Sequence, residues 1–300
     1  MQAGLADFTL QPHGRVALVA TAGFDETAAP IPTYPPPPYG GAVQADGITS
    51  ANTVGYSGQS VVAGQFYMVA VQFADVQASA DVANFNSFIT TTCSPGEYGD
   101  GTDFSFGNAP QIQVLNSDGL GYTKYYYISD AYDANDNPVS GNCWADDGGY
   151  IATAADAQAL SKGFWFKAAE NGTFNCSGQV SNTSEIENSP TANQFNIVAN
   201  PYPVALGLNA AGTAGFTPGA YGDGTDFSFG NAPQIQVLNS DGLGYTKFYY
   251  INDAYDSNDN PVSGNCWADD GGYIVTGTQV PVGQSFWVKS ASAGTFTFSL

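Results

Sequence analysis

Ile112-Gln-Val-Leu115, Asn116-Ser-Asp-Gly119 and Tyr122-Thr-Lys-Tyr-Tyr-Tyr-Ile128 follow one another closely and decide the fold. Two runs of β-branched and aromatic residues flank a cluster of Asn, Ser, Asp and Gly, which reads as two strands joined by a turn. The stretch does not occur alone. Tyr98 to Thr153 returns as Tyr221 to Thr276 at a constant offset of 123, and only four of those 56 positions differ: Tyr125/Phe248, Ser129/Asn252, Ala134/Ser257 and Ala152/Val275. Such self-similarity marks a duplicated structural unit.

The match extends outward in both directions. Downstream, with one residue deleted, Phe164-Trp-Phe-Lys167 falls on Phe286-Trp-Val-Lys289, and Gly172-Thr-Phe174 on Gly294-Thr-Phe296. Upstream it weakens, but Gln65-Phe-Tyr-Met-Val-Ala70 still faces Gln194-Phe-Asn-Ile-Val-Ala199. The chain therefore divides into an N-terminal arm (1–45), a first copy (46–180) and a second copy (181–300). Asp133-Ala-Asn-Asp-Asn-Pro138 and Asp147-Gly-Gly149 bound further short strands. Many such strands between Gly- and Asp-rich turns predict an all-β protein of two tandem β-sandwich domains, Ig-like or jelly-roll-like. Ala154 to Leu160 has room for one helical turn in the first copy, whereas the second has Gly277-Thr-Gln-Val-Pro281 there.

Composition agrees with this. The 300 residues contain 36 Gly and 17 Pro, and 22 of the 27 acidic residues are Asp, which prefers turns to helix surfaces. Aromatic residues make up 14%, too many for an intrinsically disordered chain. Six basic residues against 27 acidic ones leave a net charge of −21, which excludes a nucleic-acid partner and disfavours anionic membrane surfaces. No apolar stretch reaches the roughly 20 residues of a spanning helix, so no membrane insertion is expected. The start lacks the basic and apolar regions of a signal peptide. Ala42-Val-Gln-Ala45 before Asp46 resembles a cleavage site, yet a proline run precedes it.

The arm has its own pattern. Phe8-Thr-Leu10 and Arg15-Val-Ala-Leu-Val-Ala20 alternate towards strand, and Pro30-Ile-Pro-Thr-Tyr-Pro-Pro-Pro-Pro38 is extended and stiff by composition. One reading packs the arm on its own domains. The other sends Phe8, Leu10, Val16, Leu18 and Val19 into a neighbouring subunit as a donor strand.

Four cysteines allow three pairings, and the duplication discriminates among them. Cys93 corresponds to Phe216 and Cys176 to Phe298, so both are cysteine in one copy and both Phe in the other. That joint replacement predicts a Cys93–Cys176 disulfide; closing a loop of about 80 residues would contribute ~4 kcal/mol. Disulfide use would place the protein outside the cytosol. Cys143 and its equivalent Cys266 read as buried thiols, with a bond between domains or subunits as the alternative.

Catalytic constellations are scarce. The sole histidine, His13, lies in the arm, so no Ser-His-Asp or Cys-His arrangement can form in either copy. The pairs Asp100/Asp103 and Asp146/Asp147 have glycosidase-like composition, but both recur as Asp223/Asp226 and Asp269/Asp270 and read more simply as turn residues. No enzymatic activity is expected. Asp133, Asn135 and Asn137, repeated as Asp256, Asn258 and Asn260, place oxygens at alternate positions as a calcium loop does, yet Pro138 and Pro261 stand where an EF-hand needs Gly. Calcium in a looser site is the one candidate cofactor. Tyr125 to Tyr127, Trp144 and Trp165 offer rings for sugar stacking, although on strands such residues pair across the sheet or fill the core.

Ser50-Ala-Asn-Thr-Val-Gly-Tyr56, Ala63-Gly-Gln-Phe66 and the run Val69 to Phe73 resemble the start of exported β-rich proteins of Verrucomicrobia, Planctomycetes and Lentisphaerae. Lys162-Gly-Phe-Trp-Phe-Lys167 and Val282-Gly-Gln-Ser-Phe-Trp-Val-Lys289 are similar to the closing strands of those domains. Asn200-Pro-Tyr-Pro203 resembles a motif of Bacteroidetes cell-surface β-domains. The resemblance implies export and a β-domain, with no activity attached. The expectation is a secreted structural subunit, extracellular or at the cell surface, that polymerises with copies of itself into a filament or surface layer. The alternative is a calcium-supported adhesin or carbohydrate-binding module that recognises surface glycans.

Overall fold

A computed structural model describes residues 54–71, 86, 89–97, 106, 108–153, 163–179, 185–200, 202–210, 212–220 and 231–299. The arm residues Phe8, Leu10, Val16, Leu18 and Val19, the pairs Asp100/Asp103 and Asp223/Asp226, and residues 154–160 lie outside the described residues. What is described is all-β, and no helix among the described residues is long and apolar enough to cross a membrane.

Eight strands come from residues 54–179: β1 (Val54–Val61), β2 (Phe66–Val69), β3 (Ile89–Thr91), β4 (Gln111–Leu115), β5 (Tyr122–Ile128), β6 (Cys143–Ala145), β7 (Phe164–Lys167) and β8 (Gly172–Gln179). They form a three-stranded sheet, β1-β8-β3, and a five-stranded sheet, β2-β7-β4-β5-β6. Eight more come from residues 185–299: β9 (Glu185–Asn188), β10 (Phe195–Ala199), β11 (Gly212–Ala214), β12 (Gln234–Leu238), β13 (Tyr245–Ile251), β14 (Cys266–Ala268), β15 (Ser285–Lys289) and β16 (Thr295–Ser299). They repeat the order, as β11-β16-β9 and β10-β15-β12-β13-β14. Each half thus has one sheet of three strands and one of five, with identical connectivity and every pairing between these strands antiparallel.

The period-2 pattern explains which side chains fill the space between the sheets. Along β4, Ile112 and Val114 point inward and are buried, while Gln111, Gln113 and Leu115 point the other way. Along β7, Phe164 and Phe166 point inward and Trp165 outward. The three-stranded sheet answers with Val61, Ile89, Phe174 and Cys176, so one cluster joins both sheets. The second half repeats it with Ile235, Val237, Phe286, Val288, Phe296 and Phe298. The run Tyr125-Tyr126-Tyr127 has no polar alternation because both of its faces are covered. Tyr125 and Tyr127 join the inter-sheet core, while Tyr126 packs with Phe106, Ile128 and Cys143 on the far side.

The halves are not perfect copies. On the alignment that equates Cys176 with Phe298, Ile89 pairs with Cys176 but Gly212 pairs with Thr297, a slip of one residue. In the first half the Trp144 Nε1 donates to the Ile89 carbonyl at 3.3 Å. In the second, the Trp267 Nε1 is buried and finds no acceptor among the described residues.

The expected Cys93–Cys176 disulfide is not formed. All four cysteines are free and buried. Cys93 and Cys176 nevertheless belong to one core cluster, and Phe216 and Phe298 share the equivalent cluster. The joint replacement therefore tracks a shared core, and packing accounts for it without a covalent bond. Burial pushes the Cys176 thiol well above its ordinary range. Cys143 and Cys266 sit in separate clusters, one in each half, and so do not face each other.

Candidate interaction surfaces

The outward faces of the two five-stranded sheets meet each other. Met68, Leu115 and Trp165 of the first half pack with Ile197, Leu238, Tyr245 and Trp287 of the second. Met68 and Ile197 are equivalent positions, as are Leu115 and Leu238, and Trp165 and Trp287. Each half therefore offers the same patch, the self-complementary arrangement of an isologous dimer built within one chain.

Aromatic rings organise this contact. The Trp165 and Trp287 rings are 6.3 Å apart and tilted by 52°. Phe66 stands edge-on to Trp165 at 6.1 Å, and Phe195 edge-on to Trp287 at 5.8 Å. The Lys167 ammonium lies 5.6 Å from the Phe66 centroid and the Lys289 ammonium 5.2 Å from that of Phe195. The result is one ladder of four rings, Phe66, Trp165, Trp287 and Phe195, capped by a cation at each end. Such cation–π contacts contribute about 0.5–1 kcal/mol at exposed sites. The hairpin tips reach across as well. Gln65 Nε2 donates to the Asp241 carbonyl at 3.2 Å, and the Ala70 backbone N–H donates to the Gly283 carbonyl at 2.9 Å.

A cleft of about 260 Å³ opens beside this contact, between Asn116 and Ser117 of one half and Thr191 and Asn196 of the other. One of its amide side chains is already committed. Asn196 Nδ2 donates to the Thr191 and Gln194 carbonyls, and its Oδ1 accepts from the Thr191 N–H.

The Asp loops are organised from within. Asp133 Oδ1 accepts from the backbone N–H groups of Asn135 and Asn137, at 2.8 and 2.9 Å, and Asn137 Nδ2 donates to both Asp133 oxygens. Asp256 repeats this with Asn258 and Asn260. The backbone N–H groups of Asn137 and Asn260, first among these donors, hold the two carboxyls below the usual aspartate range. Asn135 and Asn258 add to the same effect. Asp136 and Asp259 sit at φ 60°, the left-handed region that Asp tolerates better than most residues. Asp133, Asn135 and Asn137 are thus neighbours, as their spacing anticipates, but the amide of Asn137 points into the aspartate. Among the described residues, no group of three or more His, Cys, Asp or Glu side chains is placed to hold a metal ion.

Asp146 behaves likewise. Its Oδ1 accepts from the N–H groups of Gly148 and Tyr150, at 2.9 Å each, and Asp269 repeats the turn with Gly271 and Tyr273. Of the rings considered for sugar stacking, Tyr125, Tyr126 and Trp144 are core residues, and Trp165 is committed to the contact between halves. Another pair of rings stands exposed beside the Asp loops. Tyr132 and Tyr150, with their equivalents Tyr255 and Tyr273, are each about 41% exposed or slightly more and lie on adjacent segments. The Tyr150 hydroxyl donates to Asp136 Oδ1 at 2.7 Å, and that of Tyr273 to Asp259 Oδ1 at 2.8 Å. Their spacing from the turn aspartates was the signal available.

The outer edges of the three-stranded sheets differ between halves. Among the described residues β1 pairs along all eight positions with β8 and with nothing on its other side. Its sequence, VGYSGQSV, has no charge and no proline, and Tyr56 is 59% exposed. Strand β9 occupies the same edge in the second half, but it has four residues and reads EIEN.

No protein-family model, curated protein or solved structure matches the chain.

Proposed function

We propose that this chain is a secreted, non-enzymatic structural subunit that assembles with copies of itself into an extracellular filament or surface layer. On this reading residues 46–180 and 181–300 are tandem jelly-roll-like β-sandwich domains, with residues 1–45 as a linking arm. The strand order shared by the two halves supports the jelly-roll form, a double sheet of eight strands. The observation that carries the functional reading is the consumption of the duplicated patch. The face that each half could use to dimerise is buried against its own twin, so the chain is one building block and further growth must use other surfaces. The recurrent carboxylates Asp133, Asp146, Asp256 and Asp269 are engaged in shaping turns, which supports a structural reading over hydrolysis. Sedimentation of the purified full chain over a concentration series tests it: a growing series of large species supports assembly, and a single monomer at every concentration overturns it.

The exposed pairs Tyr132/Tyr150 and Tyr255/Tyr273 favour a second reading, a bivalent glycan-binding surface protein. Half-exposed rings beside hydrogen-bonding carboxylates suit sugar stacking. Glycan-array binding that is lost in Tyr150→Ala/Tyr273→Ala would support it, and an empty array would remove it.

A further inference from the structure

We propose that each subunit has a single acceptor edge, strand β1, and that the arm segment Arg15–Ala20 of a second copy adds to it as a donor strand. This rests on the assembly reading above and names its contact. Exposed edge strands are usually shortened, charged or interrupted by proline, because an open row of N–H and C=O groups invites another chain. Pairing registers make the comparison between the two halves direct. Gly58 pairs with Asn175 and Glu187 with Thr297, and these partners are equivalent. Tyr56 pairs with Ser177 and Glu185 with Ser299, again equivalent partners. The second half therefore has glutamates where the first has Tyr56 and Gly58. One edge is long and unguarded; its twin is short and doubly charged.

The occupant follows from what precedes β1. Fifty-three residues outside the described part run directly into Val54, among them the alternating Arg15-Val-Ala-Leu-Val-Ala20. Between that segment and β1 stands the run Pro30–Pro38. Extended at ~3.1 Å per residue it spans about 28 Å, as long as an eight-residue strand at about 3.3 Å per residue. A proline-rich spacer of that length between donor and edge favours pairing with a neighbour's β1 over folding back onto its own. One donor and one acceptor per chain give a head-to-tail contact, which grows into an unbranched polymer. The duplication does not double the valency because β9 is closed to pairing.

Three full-length variants test this. Tyr56→Glu/Gly58→Glu copies the guarded edge onto β1, Val16→Asp/Leu18→Asp disables the donor, and Glu185→Tyr/Glu187→Gly opens β9. Tyr56→Lys, at an exposed position, replaces the first should that variant melt well below the parent. The parent is expected to polymerise, the first two variants to remain monomers, and their equimolar mixture to stop at dimers by light scattering. The third variant is expected to give branched or doubled fibres. Polymerisation of the acceptor variant at the parent's rate overturns the β1 assignment, and if the donor variant alone is then monomeric the assembly reading survives. A parent that never leaves the monomer overturns both.

Discussion

Gly163 and Ser285 occupy equivalent positions in the two halves and face each other where the halves meet. A Cβ placed on Gly163 would lie 2.5 Å from the Ser285 Cβ and 2.9 Å from the Ile197 Cγ2. Two side chains cannot share that space, so the self-complementary patch carries a serine on one side and a glycine on the other. Gly163 also has φ 92°, a conformation that only glycine adopts without strain. The repeat is imperfect here for a steric reason.

Gly163→Ala should therefore lower stability by about 1–3 kcal/mol, the cost of overpacking a filled core. Urea denaturation followed by tryptophan fluorescence would measure it. Ser285→Ala should cost little or nothing, since the buried Ser285 Oγ has no partner among the described residues. A large loss in Ser285→Ala would mean that this hydroxyl is engaged after all.

Removing both tryptophans at the contact, Trp165→Ala/Trp287→Ala, should uncouple the halves. Calorimetry is expected to show one transition in the parent and two in the double variant. A single undiminished transition in the variant would show that the ladder of rings contributes little to the contact.

Asn209 bridges the start of β14: its Nδ2 donates to the Trp267 carbonyl at 2.9 Å and its Oδ1 accepts from the Trp267 N–H at 2.6 Å. Asn86 makes the same pair of bonds to Trp144. Asn209→Ala should cost about 1–3 kcal/mol, because it strands buried backbone groups. Asn209→Asp keeps the acceptor but sets a carboxylate oxygen against the Trp267 and Val275 carbonyls, so it should cost at least as much.

The thiols give a direct check on the covalent state. All four cysteines are buried, and burial raises the pKa of Cys143, Cys176 and Cys266 and so suppresses the reactive thiolate. Without reductant, a thiol reagent should label none of them in the native protein and all four in guanidinium chloride. Two labelled thiols would instead establish a disulfide.

Acid should act through Asp133 and Asp256. Their carboxyls titrate lower in the folded chain than in the unfolded one, so the unfolded state binds more protons in that window. The stabilisation is complete above about pH 4, the ordinary aspartate value, and is lost as pH falls through the lowered folded values. Asp133→Asn/Asp256→Asn should show a flatter dependence of Tm on pH below that point. Parallel curves would assign the acid sensitivity elsewhere.

Much of this architecture is readable from one sequence because Tyr98–Thr153 and Tyr221–Thr276 are nearly identical and their turns are written in Asp, Asn and Gly. The contact between halves is not readable in the same way. Met68 and Trp165 alternate with core residues on strands whose two faces are both covered, so apolarity does not say which face meets the twin. Asn86 and Asn209 keep the offset of 123 but stand in a stretch where the two copies have diverged, and it is their shared bonds to Trp144 and Trp267 that give the match a meaning. The contrast of Tyr56 and Gly58 with Glu185 and Glu187 needs the pairing of β1 with β8 and of β9 with β16 before the positions can be matched. The joint replacement of Cys93 and Cys176 by Phe216 and Phe298 reports a shared environment, which a core satisfies as well as a bond does.

Negative-stain electron microscopy of the full chain, with calcium and then with chelator, would show whether the subunits assemble. Regular unbranched fibres are expected in both conditions, since the Asp loops are held by their own hydrogen bonds. Dispersed single particles in both conditions would contradict assembly.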